Sequence, residues 1–211
     1  SLRDAAAALR HRFNAAFWME DDGFYAMALD GEKQAVRSIG SNAGHALFTG
    51  LVSGQRAGRV AGRLMQPDMF SGWGVRTLSS DSPAYNPVGY HVGTIWPHDN
   101  ALIAAGLKRY GFREEVNEVA TALFDAARAF PYYRLPELFG GQGRSAHQPP
   151  VPYPVACRPQ AWTAGAMHHI LRFILGLSPD APSGKLYIVK PRLPYWLREV
   201  HLAGLRVGKA S

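Results

Sequence analysis

The chain holds a single cysteine, Cys157, among 211 residues, so no disulfide can form within it. That poverty points to a reducing, cytoplasmic setting. No stretch reaches the ~18 consecutive apolar residues that a membrane-spanning helix needs. The richest, Ile170 to Leu177, is broken by Arg172 and Gly176. A secretory leader is equally missing, because Asp4, Arg10 and Arg12 interrupt the alanine-rich start. The first residue is Ser1, not Met, and the expectation is a piece cut from something longer. Phosphate-cradling glycine loops, HExxH and CxxC do not occur, so neither a nucleotide nor a metal or other cofactor is expected. Lysine is scarce, at 5 against 18 arginines. The net charge of +7 and pI near 9.8 invite a nucleic-acid reading. The arginines are scattered, however, and no aromatic-and-basic RNA module is present. Arg56, Arg59 and Arg63 share one helix face and read as its solvated side. No nucleic-acid partner is expected, and no membrane.

What is there suffices for a core. With 47% hydrophobic and 11% aromatic residues, the chain excludes wholesale disorder and fits one domain over residues 1–211. Apolar residues at three-and-four spacing predict a helix from Ser1 to about Phe17. Asp30-Gly31 between Phe24–Leu29 and Lys33–Arg37 predicts a hairpin. Short helices follow at Ala43–Leu51 and Gln55–Gln66. Gly54, Gly58 and Gly62 fall at spacing four in the second, and the expected compensation is close approach of another helix. Pro97–Tyr110 opens with proline and closes at Gly111, and Arg113 to about Ala129 completes a helical hairpin. An irregular stretch, Pro131–Arg158, is too long for a mere connector. Pro159–Leu175 is the last helix. Lys185–Val189 and Val200–Val207 alternate like short strands. The domain is thus helical over 1–177 with a β-rich tail over 185–208, and the absence of βαβ alternation excludes a parallel sheet.

Three loops carry chemistry-bearing residues. In Gly93-Thr94-Ile95-Trp96-Pro97-His98-Asp99-Asn100, the unpaired amides of a helix start suit a hydroxylated ligand, although Asp99 is equally placed to offset the helix dipole. In Arg134-Leu135-Pro136-Glu137-Leu138-Phe139, apolar neighbours disfavour the charged form of Glu137, which suits acid–base work, while a plain surface glutamate remains open. In Cys157-Arg158-Pro159-Gln160-Ala161-Trp162, Arg158 and Gln160 flank a helix start. Trp162 offers a flat face to a sugar or packs between helices. Cys157 reads as a small buried residue with no base beside it. His168 and His169 are adjacent on a helix and diverge, and His91 and His98 lack a ligand spacing.

Six motifs run in order: Ser41-Asn42-Ala43-Gly44-His45, Phe70-Ser71-Gly72-Trp73-Gly74-Val75-Arg76-Thr77-Leu78, Tyr85-Asn86-Pro87 with Gly89-Tyr90-His91, Trp96-Pro97-His98-Asp99-Asn100, Leu135-Pro136-Glu137-Leu138 and Pro159-Gln160-Ala161-Trp162. Together they resemble the glucosidase domain of the glycogen debranching (amylo-α-1,6-glucosidase) family. The resemblance implies an all-α fold, the C-terminal half of an (α/α)6 toroid of the six-hairpin glycosidase type, with a small β-hairpin insertion and a short β tail. It further implies an inverting hydrolase of α-glucosidic, chiefly α-1,6, linkages in an α-glucan or oligosaccharide. In such enzymes two carboxyls stand roughly 6.5–9.5 Å apart to admit the attacking water. Glu137 maps onto the general base. Trp96, His98, Asp99, Asn100, Arg158, Gln160 and Trp162 map onto the sugar site. The family's acid lies upstream of these motifs, so the chain alone is expected to be inactive. Half a toroid is expected to expose faces made for its upstream half, and hence to self-associate. A non-catalytic carbohydrate-binding or scaffolding helical domain is the alternative.

Overall fold

The computed structural model describes residues 1–208. It contains helices α1 (Leu2–Ala16), α2 (Asn42–Thr49), α3 (Gly54–Leu64), α4 (Pro97–Tyr110), α5 (Arg113–Ala127) and α6 (Ala161–Ile174). Three two-stranded antiparallel hairpins accompany them: β1 (Trp18–Met19) with β2 (Phe24–Tyr25), β3 (Ala28–Leu29) with β4 (Ala35–Val36), and β5 (Leu177–Asp180) with β6 (Lys185–Ile188). The predicted turn at Asp30-Gly31 is present, but Phe24 and Tyr25 pair backwards with Met19 and Trp18. The expected strand at Val200–Val207 is not formed, since Gly204 at φ 67° turns the chain midway. Among the described residues no helix is long and apolar enough to cross a membrane. No cluster of three or more His, Cys, Asp or Glu among them could hold a metal ion.

Helix ends follow local chemistry. Ser1 caps α1 in a reciprocal box with Asp4. Pro97 occupies the first turn of α4, and Gly111 closes it in the left-handed conformation. The last helix starts at Ala161, because the Gln160 side chain accepts the Ala161 N–H and the residue itself is extended.

Helix α4 is central. It packs against α2, α5 and α6, and Ile103, Ala104 and Leu107 are sealed from solvent on its faces. Two glycines set the distance to α2. A Cβ on Gly44 would strike Ile103, and one on Gly106 would strike Leu47 and the Phe48 amide. The helix contact expected at Gly54, Gly58 and Gly62 is absent: all three are exposed, with open space where a Cβ would stand. The arginine stripe on α3 is likewise not simply solvated. The Arg56 guanidinium lies 4.4 Å from the Trp18 ring centre, Arg59 donates to Glu20, and Arg63 holds Asp68 through two bonds of 2.7 Å. The stripe therefore anchors the N-terminal hairpin to α3 and the chain after α3.

Candidate active site

The three loops singled out in the sequence meet at the N-terminal end of α4. Ile95 and Phe139 exchange two backbone hydrogen bonds of 2.9 and 3.0 Å, locking the Trp96 loop to the Glu137 loop. The Glu137 amide donates to the Cys157 carbonyl at 2.9 Å, and the Thr163 hydroxyl donates to the Pro136 carbonyl at 3.3 Å. Those bonds bring in the third loop and the start of α6. Arg76 is buried and secures the frame by donating to the carbonyls of Gly141, Pro67 and Asp68. The loops also touch where they have no side chains: a Cβ on Gly141 would overlap the carbonyl oxygen of Gly93.

Glu137 is 8% exposed. Its Oε1 accepts the Tyr90 hydroxyl at 2.8 Å and its Oε2 accepts the Cys157 amide at 3.3 Å. The bond to this carboxylate holds the Tyr90 phenol above its ordinary range. Beside it stands an aromatic cluster. Trp96 meets Tyr90 edge-on at 4.8 Å, lies parallel to His91 at 5.3 Å, and meets Trp162 edge-on at 5.8 Å. Trp162, 46% exposed, stacks on His98 with ring centres 3.9 Å apart. Its indole and the Tyr90 ring, 38% exposed, are parts of the cluster open to solvent.

Behind the cluster, Asp99 accepts His45 Nε2. That hydrogen bond raises the His45 imidazole above its ordinary value against the opposing effect of burial. His98 shifts the other way, lowered chiefly by burial, with Asp99 opposing. The Asp99 Oδ2 and His98 Nδ1 atoms are sealed and have no partner.

The residue pattern that defines the Mannosylglycerate hydrolase MGH1-like glycoside hydrolase domain matches residues 1–135. The chain belongs to that family. One relative of this MGH1-like domain, the mannosylglycerate hydrolase MGH1 of Selaginella moellendorffii, is 29% identical over 90 residues, which are 41% of this chain and 18% of that protein. Among solved structures, the neutral trehalase Nth1 of Saccharomyces cerevisiae superposes with a TM-score of 0.63 at 16% identity, over 81% of this chain and 30% of that one. The GH63 mannosylglycerate hydrolase of Thermus thermophilus, in complex with glucose, gives 0.59 at 20% identity, over 77% and 38%. The chain thus spans well under half the length of each of these three proteins. The likeness shows the fold, part of an (α/α)6 toroid with small β-hairpins. It does not by itself show the debranching family or an α-1,6 specificity.

Several expectations for site residues change in this MGH1-like domain. Asn100 is 0% exposed and fully engaged: its Oδ1 accepts the Val75 amide, and its Nδ2 donates to the Val75 and Trp96 carbonyls. With no free hydrogen-bonding group it cannot touch a sugar. Trp96, 5% exposed, lies beneath its aromatic neighbours and forms the floor's support, not its surface. Asp99 is turned to His45 and its second oxygen is sealed, so it faces no open space. Gln160 spends its side-chain oxygen capping α6. Arg158 is exposed beside Cys157 and makes no ion pair among the described residues. Cys157 is exposed, not buried as its composition suggested. His98 and Trp162 stack on one another, and Trp96 and Tyr90 connect that pair to Glu137. Sequence reading passed over Tyr90 and His45 as site residues; both stood in quoted motifs, but only folding shows that they contact Glu137 and Asp99.

Proposed function

We propose that this domain is part of an inverting glycoside hydrolase that cleaves an α-glucosidic bond, with Glu137 as the general base. The observation that carries the reading is the buried carboxylate of Glu137, held at two points at the edge of the Tyr90–Trp96 aromatic cluster, in a chain whose residues 1–135 match a family of glycoside hydrolases. A water beside Glu137 yields its proton to the carboxylate while its oxygen bonds to the anomeric carbon. The bond to the leaving oxygen breaks, and that oxygen takes a proton from a second carboxyl. Asp99 does not suit this second role, being committed to His45. The debranching resemblance places the acid upstream of these motifs, in keeping with the small share of each of these solved structures that the chain spans. Trp162 stacks on the sugar, with His98 behind it and Arg158 at the rim.

The test is Glu137→Gln in the natural protein that carries these residues. Turnover should fall by about 10²- to 10⁴-fold, the usual contribution of a general base. Oligosaccharide affinity, measured by calorimetry, should change little. Unchanged turnover rejects the base; binding without any turnover in the parent protein favours a carbohydrate-binding domain instead. A panel of an α-1,6-linked glucan oligosaccharide, trehalose and mannosylglycerate decides the substrate. The debranching resemblance predicts release of glucose from the first, whereas the named relatives direct attention to the other two.

A further inference from the structure

We infer that Tyr90 is the positioning residue for Glu137, fixing which of its two carboxylate oxygens receives the proton. The inference rests on the reading of Glu137 as the base, and it concerns a residue that composition and motif spacing left without a role.

Two ends of Tyr90 are secured. Its carbonyl accepts the Thr94 hydroxyl at 2.7 Å and the Trp96 indole N–H at 3.1 Å. Its ring packs edge-on against Trp96 and His91, with the Tyr153 ring centre 5.7 Å from its own, and its remaining face is open to solvent. The segment itself closes on Asn86, whose amide donates to the Val92 carbonyl and whose carbonyl accepts the Gly89 amide. A phenol held this way has little freedom, and its hydroxyl delivers a 2.8 Å bond to Oε1 of Glu137.

The other oxygen is held differently. Oε2 receives a longer bond of 3.3 Å, from the Cys157 amide. Each oxygen has one donor and keeps one acceptor site, but the shorter bond neutralises more of the charge on Oε1, which leaves Oε2 the more basic of the two toward a water proton. Removing the Tyr90 hydroxyl leaves the carboxylate held by the Cys157 amide alone, so the group can rotate and exchange its two oxygens. A misplaced base costs rate without costing ground-state affinity.

Tyr90→Phe keeps the ring and its aromatic contacts and deletes one oxygen atom. In the natural protein it should lower kcat about 10- to 100-fold with KM changed less than about twofold. A second readout needs no turnover. The Tyr90 phenol titrates above its ordinary range because it donates to Glu137, so Glu137→Gln should bring it down, followed by NMR of labelled tyrosine. That titration is also decisive should Tyr90→Phe fail to fold. Equal kcat in Tyr90→Phe, or a Tyr90 phenol indifferent to Glu137→Gln, overturns the positioning role. If instead Glu137→Gln retains full turnover, it is the assignment of the base that fails.

Discussion

The two histidines flanking Asp99 respond to their surroundings in opposite directions. His45 binds its proton more tightly in the folded state, through its hydrogen bond to Asp99. Its contribution to stability is complete below the unfolded histidine value of ~6.5 and is lost as pH rises through the higher folded value. His98 binds its proton less tightly, because burial penalises the cation. Its contribution is present above ~6.5 and is lost as pH falls through the lower folded value. Stability measured in urea should therefore lose its decline above neutral pH in His45→Ala, and lose part of its acid-side decline in His98→Gln. Histidine NMR titrations with both groups on the same side of 6.5 would contradict this. Asn100 gives a larger effect without titration. Asn100→Ala strands the buried amide and carbonyl of Val75, and should cost about 2–4 kcal/mol of unfolding free energy.

At the scale of elements, the glycines divide cleanly by their surroundings. Gly58 stands on an exposed helix face with open space beyond it, so Gly58→Ala should stabilise by about 0.5–1 kcal/mol. Gly106→Ala gains the same propensity but pushes a methyl group into Leu47 and the Phe48 amide, and overpacking of this kind costs about 1–3 kcal/mol. Urea midpoints should move in opposite directions. Spacing four on α3 suggested a helix contact because periodicity identifies a face but not its occupant. The occupied glycine face belongs to Gly44 and Gly106, which are far apart in the chain and meet only through α2 on α4. Helix α4, in contrast, matched its predicted bounds, since a proline at its start and a left-handed glycine at its end act within a single turn. Of the two-residue strand pairs, Ala28–Leu29 with Ala35–Val36 lies in the hairpin that Asp30-Gly31 announces, whereas Trp18-Met19 is too short to show the alternation that would reveal Phe24-Tyr25 pairing back onto it.

Across the whole molecule, the surfaces left uncovered matter most. No residue of α1 is buried, and Leu2 on it is 91% exposed. On α6, Ala161, Trp162, Ala164 and Gly165 are open as well. Exposed apolar helix faces promote association, so sedimentation of the isolated 211-residue chain should show concentration-dependent self-association. A monomer at every concentration would contradict it. The same isolated chain should release no sugar from any of the three substrates above, which a sensitive reducing-sugar assay can check.

Local chemistry determined much of this protein from its sequence: helix spans, caps, the Asp30-Gly31 turn, and the grouping of chemistry-bearing residues in three loops. Those features depend on neighbours within a few residues, and such neighbours are written side by side. Which loop residues face outward depended on contacts between distant segments. Asn100 and Trp96 share a helix start with His98, yet the strand-like pairing of Ile95 with Phe139 and the clamp on Val75 bury the first two. Tyr90 and Glu137 are separated by 47 residues, and their bond exists only because three loops converge at one end of α4.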